Sequence, residues 1–178
     1  MAHDKVKARL AELGLELPVA AIPVAAYVPA ARDGKLVFTA GQLPTVDGKI
    51  SKTGKVGSDV TVEEAYELAK ICGLNVLAAL ALVCDLDEVK QIVKTVGFVN
   101  SAPGFTNQAG VVNGASELFI NVFGEAGRAA RCRRGRGSFR ALRHSDCGGE
   151  QTRAIILAVP MLEGGGPREV AAAARREQ

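Results

Sequence analysis

The chain has 178 residues, 48% of them apolar, and a formal net charge of +3. That length suits one domain able to bury roughly 70% of its unfolded surface without disulfide support, and so small a charge gives no reason to expect a polyanionic partner. Its distribution is less ordinary: every lysine lies at or before Lys94, and eleven of the thirteen arginines lie at or after Arg128. The N-terminus Met1–Lys7 has no apolar core of the kind a secretory leader carries. The longest apolar run, ending at Cys84, is far below the roughly 20 residues that cross a bilayer. Of four cysteines, Cys72 and Cys84 fall in a helical segment and no CxxC occurs, so the thiols are expected to be reduced and structural, in a cytoplasmic protein.

Val6, Leu10 and Leu13 predict a short amphipathic helix ending at Gly14. Val24–Pro29 and Lys35–Thr39, separated by Asp33-Gly34, predict a hairpin, because that pair tolerates the positive φ of a tight turn. Val46-Asp47-Gly48-Lys49-Ile50 predicts a second turn, and Ser51–Gly57 a loop. Thr61-Val62-Glu63-Glu64 fits a capping box opening a long helix through Ala65, Leu68, Ala69, Cys72, Val76, Ala79, Leu80 and Val83. Its second half is apolar all round, which predicts burial against more than one neighbour. Val89–Asn100 follows as a buried strand, and Phe105–Phe123 as a second helix in which Gly110 and Gly114 imply close backbone packing. The order β-β-α-β-α needs a further strand or two to complete a sheet covered by two helices. From Cys132 to Arg140 the alternation of a strand is missing; Ala154–Leu162 restores an apolar run.

Tyr27 lies fourteen positions before Gly41, in the run Gly34-Lys35-Leu36-Val37-Phe38-Thr39-Ala40-Gly41-Gln42-Leu43-Pro44. The helix Val62–Leu82, the strand Val96-Gly97-Phe98-Val99, Val112-Asn113-Gly114 and Phe123-Gly124-Glu125-Ala126-Gly127-Arg128-Ala129-Ala130-Arg131 follow. From Pro23 to Arg131 this ordered set resembles the Rid (reactive intermediate deaminase, YjgF) family, in its longer-chain branch. The resemblance implies an α+β, chorismate-mutase-like fold, assembled as a homotrimer with ligand clefts between subunits. It also implies hydrolysis of 2-imino acids to 2-oxo acids and ammonia, with no cofactor and no metal. An imine carbon is already electrophilic, so such a site needs only to anchor the substrate carboxylate, position a water and exclude bulk solvent. Arg131 matches the family's carboxylate-binding arginine, Tyr27 and Asn113 its cleft-lining tyrosine and asparagine, and Gly41 a backbone contact. Taken alone, the same residues are a surface arginine, a strand aromatic and a polar helix position.

The chain departs from the family at two points. Ala40 stands where many active members carry a serine, and Asp146, at about the distance of the family's water-holding acid, lacks the apolar–acid alternation around it. No catalytic residue is therefore assigned. Residues 1–131 are expected to form the Rid-like domain, and 132–178 an atypical Arg/Gly-rich segment holding its last strands or disordered, with Ser138–Gly149 irregular. One reading of this segment is a change of reading frame after Arg131, which would account for both the switch from lysine to arginine and the lost strand pattern. Cys132, His144 and Cys147 lack the spacing of a zinc site, and one aromatic, Phe139, in the run 128–143 makes a poor RNA platform. The rival readings are a non-catalytic ligand-binding member of the same fold, or an RNA-binding protein acting through its arginine-rich tail.

Overall fold

The computed structural model describes residues 3–21, 26–135 and 155–160. Helix α1 (Asp4–Glu12) lacks a side-chain cap of its own. The Asp87 carboxylate supplies one from elsewhere, accepting from the backbone N–H of Lys5 and Val6 at 3.0 Å each. Strands β1 (Ala30–Asp33) and β2 (Leu36–Thr39) form the expected hairpin, with the first strand later than Val24–Pro29. Its two turn residues are Gly34 and Lys35, and Gly34 adopts φ 56°, as a II′ turn requires at its first central position. Between β3 (Thr45–Val46) and β4 (Lys49–Ile50), Asp47 and Gly48 take φ 51° and 73°, the pair of positive values that makes Asp-Gly the preferred I′ turn.

Helix α2 (Val62–Ala81) opens on the expected capping box: Thr61 Oγ1 accepts from the Glu64 N–H, and Glu64 accepts from the Thr61 N–H. Its apolar second half is buried against α3 (Gln108–Phe123), the sheet and β3. Asn75, the polar exception on that face, donates to the carbonyls of Leu43 and Thr45 and so ties the small hairpin to the helix. Strand β5 (Lys94–Val99) is shorter than the apolar run that announced it. Phe105 lies outside α3: Asn107 accepts from the Gly110 N–H and starts the helix there, while the Phe105 ring packs on Gly57.

Strand β6 (Ala130–Gly135) forms despite its missing alternation, and β7 (Ile155–Pro160) falls in the restored apolar run. The segment Ser138–Gly149 lies outside the described residues. Among those described, five strands form one sheet in the order β1-β2-β7-β5-β6, antiparallel except for the parallel pair β5–β6, which α3 connects. This is the α+β arrangement expected, a sheet covered on one face by α2 and α3. Val37, Thr39, Thr95 and Val99 point from the sheet into that layer and are buried. On the other face Leu36, Phe38 and Phe98 stay 39%, 43% and 37% exposed, and no described element covers them.

Candidate functional site around Arg131

The parallel register pairs Arg131 with Thr95, so the arginine leaves β6 on the face that carries α3. Its Nη1 donates to Asn113 Oδ1 at 2.7 Å and to Ser116 Oγ at 3.2 Å. Asn113 and Ser116 are three residues apart and therefore share one face of α3. The opposite side of that helix turns Gly114 against the Tyr66 carbonyl of α2. Ser116 also donates to the Val112 carbonyl at 3.3 Å, which fixes its hydroxyl.

A guanidinium has five N–H groups in one plane and no acceptor. Asn113 and Ser116 both accept from Nη1; among the described residues nothing accepts from Nε–H or Nη2, the fork on the side away from Cδ that matches a carboxylate. Among the described residues no carboxylate pairs with Arg131. Arg128 differs, with its Nε 3.0 Å from Glu125 Oε1. Arg131 is exposed at the sheet edge, where a ligand can reach it.

Tyr27, 49% exposed, precedes β1 and Gly41 follows β2, on the side of the sheet away from β6, where the Ala40 N–H donates to the Pro29 carbonyl. The row Phe38–Ala158–Lys94–Ala130 crosses the sheet, so β2 stands three strand spacings from β6, about 14 Å. The single chain thus brings Arg131 and Asn113 together and holds Tyr27 and Gly41 apart from them. Ala40 offers only a methyl group at that end, and the Gln42 amide folds back onto its carbonyl. Ser116 went unnoticed in the sequence; its distance of three from Asn113 was the available signal.

Thr95, beside Arg131 on the neighbouring strand, is 1% exposed, and its hydroxyl has no hydrogen-bond partner among the described residues. A buried unpaired hydroxyl costs about 1–3 kcal/mol. Thr95→Val keeps the shape and the β-branch, so it is expected to raise the unfolding free energy by about 1 kcal/mol in urea titrations. A loss of stability would mean that the hydroxyl has a partner beyond the described residues.

A pocket of about 90 Å³ between the end of α1 and the outer surfaces of α2 and α3 is lined by Leu13, Tyr66, Lys70 and Asn121, among others, and is below the size of ligand clefts. Next to it Tyr66 donates to the Glu117 carboxylate at 2.6 Å, which pushes the phenol up to about 12. Burial pushes the Cys72 and Cys84 thiols up to about 12, so both are inert core groups. Among the described residues no three His, Cys, Asp or Glu side chains gather as a metal site would need, and no helix is long and apolar enough to cross a membrane.

The model of the family described as "YjgF/chorismate mutase-like, putative endoribonuclease" matches residues 7–136. The chain is 45% identical over 134 residues to Protein TCP17 of Trypanosoma cruzi, covering 74% of this chain and 84% of that one. Among solved structures it is similar to the Agrobacterium tumefaciens protein Atu1372 (40% identity, TM-score 0.76, 90% of this chain and 95% of that one). A Shewanella oneidensis protein described as a "putative endoribonuclease" matches at 30% identity and TM-score 0.78, over 88% of this chain and 99% of that one.

Proposed function

The chain belongs to the YjgF/chorismate mutase-like family, and on that premise we propose that it binds the carboxylate of a small 2-imino or 2-oxo acid through Arg131 and hydrolyses the imine to the 2-oxo acid and ammonia. The observation that carries this reading is an Nε–Nη2 fork without a partner among the described residues, on an arginine whose third nitrogen is held by Asn113 and Ser116. In the reaction a water oxygen adds to the imine carbon and a proton reaches the nitrogen. The resulting amino alcohol then collapses with loss of ammonia. Imines hydrolyse readily in water, so anchoring and water placement are enough to accelerate them. Phosphodiester cleavage, the activity in the family's description, starts from a far slower reaction and demands a positioned general base, for which Arg131 is no candidate.

The cleft is proposed to form between subunits of a homotrimer. Two features support this: no described element covers the apolar face of Leu36, Phe38 and Phe98, and Tyr27 and Gly41 lie across the sheet from Arg131 within one chain, so that another copy could bring them to it. A second reading, ligand binding without turnover, is favoured by Ala40, which removes a hydroxyl from that cleft.

The test is to generate 2-iminobutanoate in situ and follow ammonia release, with the mass measured by light scattering. Release faster than the uncatalysed rate, from a species of trimer mass, is the expected result. Binding of 2-oxobutanoate without acceleration would select the second reading, and neither binding nor acceleration would overturn both.

A further inference from the structure

We propose that Arg133 is a second carboxylate-binding residue beside Arg131, and that the site therefore takes 2-imino and 2-oxo dicarboxylates in preference to monocarboxylates of the same length. The proposal rests on the reading of Arg131 as the first anchor.

Successive side chains of a strand alternate between its faces, so Arg131 and Arg133 leave β6 on the same side, rooted about 6.6 Å apart. The register sets Arg133 opposite Gly97, whose Cβ, if it had one, would meet Val112 of α3; this is the α3 face. Both arginines are exposed, and among the described residues neither pairs with a carboxylate. Residues 94–135 hold two acids, and both are taken: Glu117 accepts from the Tyr66 hydroxyl, and Glu125 from Arg128. The half of the cleft proposed to come from another copy brings no counter-charge either. Residues 24–31 and 38–45, around Tyr27 and Gly41, contain no Asp, Glu, Lys, Arg or His. Two neighbouring guanidinium groups repel each other; one carboxylate neutralises one of them, and a dicarboxylate neutralises both. The carboxyl carbons of 2-oxoglutarate, joined by four bonds of about 1.5 Å, stand ~5 Å apart when extended, close to the spacing at which the two side chains are rooted.

Calorimetric titration of the intact protein should show 2-oxoglutarate binding at least about tenfold more tightly than 2-oxopentanoate, which has a methyl group in place of the second carboxylate. Arg133→Gln should remove that advantage, weakening 2-oxoglutarate about tenfold and 2-oxopentanoate less than about threefold. Arg133→Lys, which keeps the charge and loses the fork, should retain part of the advantage. Equal binding of the two acids by the parent overturns the proposal. So does an advantage that survives Arg133→Gln, or a variant that weakens both acids alike, as a merely structural arginine would. Parental affinity for 2-oxopentanoate in Arg131→Ala, or no binding of either acid by the parent, instead removes the first anchor and this proposal with it, a failure seen in a different titration.

Discussion

Gly114→Ala is expected to lower the unfolding free energy by about 3 kcal/mol. A Cβ at this position would lie 2.0 Å from the Tyr66 carbonyl oxygen and 3.2 Å from the Lys70 nitrogen. Both are helix backbone, so no side-chain rotation relieves the clash, and α2 and α3 must move apart along a face that also buries Ala69, Ala115 and Leu118. Helix propensity acts in the opposite direction, since alanine is favoured over glycine by about 1 kcal/mol inside a helix; the overlap decides the sign. Gly73→Ala is the milder comparison. Its Cβ would meet Leu118 Cδ2 at 2.9 Å, and that methyl group can swing away. Urea unfolding of the two variants should show a large shift for the first and a small one for the second. An unchanged midpoint for Gly114→Ala would mean that the helices are not held at this separation. Because Asn113 and Ser116 ride on α3, the same variant should also weaken 2-oxobutanoate.

The second large effect belongs to Arg131. A charge-assisted pair with a carboxylate contributes roughly 1.5–3 kcal/mol, so Arg131→Ala should weaken pyruvate or 2-oxobutanoate about ten- to a hundredfold. Arg131→Lys should recover little, because an ammonium neither presents a fork nor spans Asn113, Ser116 and a ligand at once. Arg128→Ala is the control: its side chain is 63% exposed and already paired with Glu125, so ligand affinity should stay close to parental. Titration of each variant, with its mass checked in parallel, decides the matter. Parental affinity in an Arg131→Ala protein of unchanged mass would show that the carboxylate is held elsewhere.

Much of this architecture is written in local chemistry. Thr61 and Glu64 announce the start of α2 because a capping box needs those two residues at that spacing and little else. Asp47-Gly48 announces its turn because two consecutive positive φ values exclude most other pairs. The end of the apolar pattern was less informative at Phe105, whose ring completes a helical period yet packs on a loop while Asn107 sets the boundary. Strand β6 was illegible for a different reason. Among the described strands it pairs with β5 alone, and Arg131 and Arg133 there reach solvent without breaking a ladder. The site divides in the same way. The resemblance supplied Arg131 and Asn113, and the contact between them joins a strand to the helix preceding it. The three strand spacings that set β2, and with it the hairpin flanked by Tyr27 and Gly41, apart from β6 follow from where β7 inserts, which no local pattern encodes.

The placement of β7 has a consequence for how the protein is made. The hairpin β1–β2 and the unit β5–α3–β6 become neighbours only through a strand that comes last among the described elements. A ribosome completes β5 about 60 residues before it completes β7, an interval on the order of 3–12 s at ordinary elongation rates. Throughout it β2 and β5 each present an unpaired edge, a template for any strand nearby, including those of other nascent copies. The time this chain spends open to misassembly is therefore set by the pace of translation, not by the stability of the finished sheet.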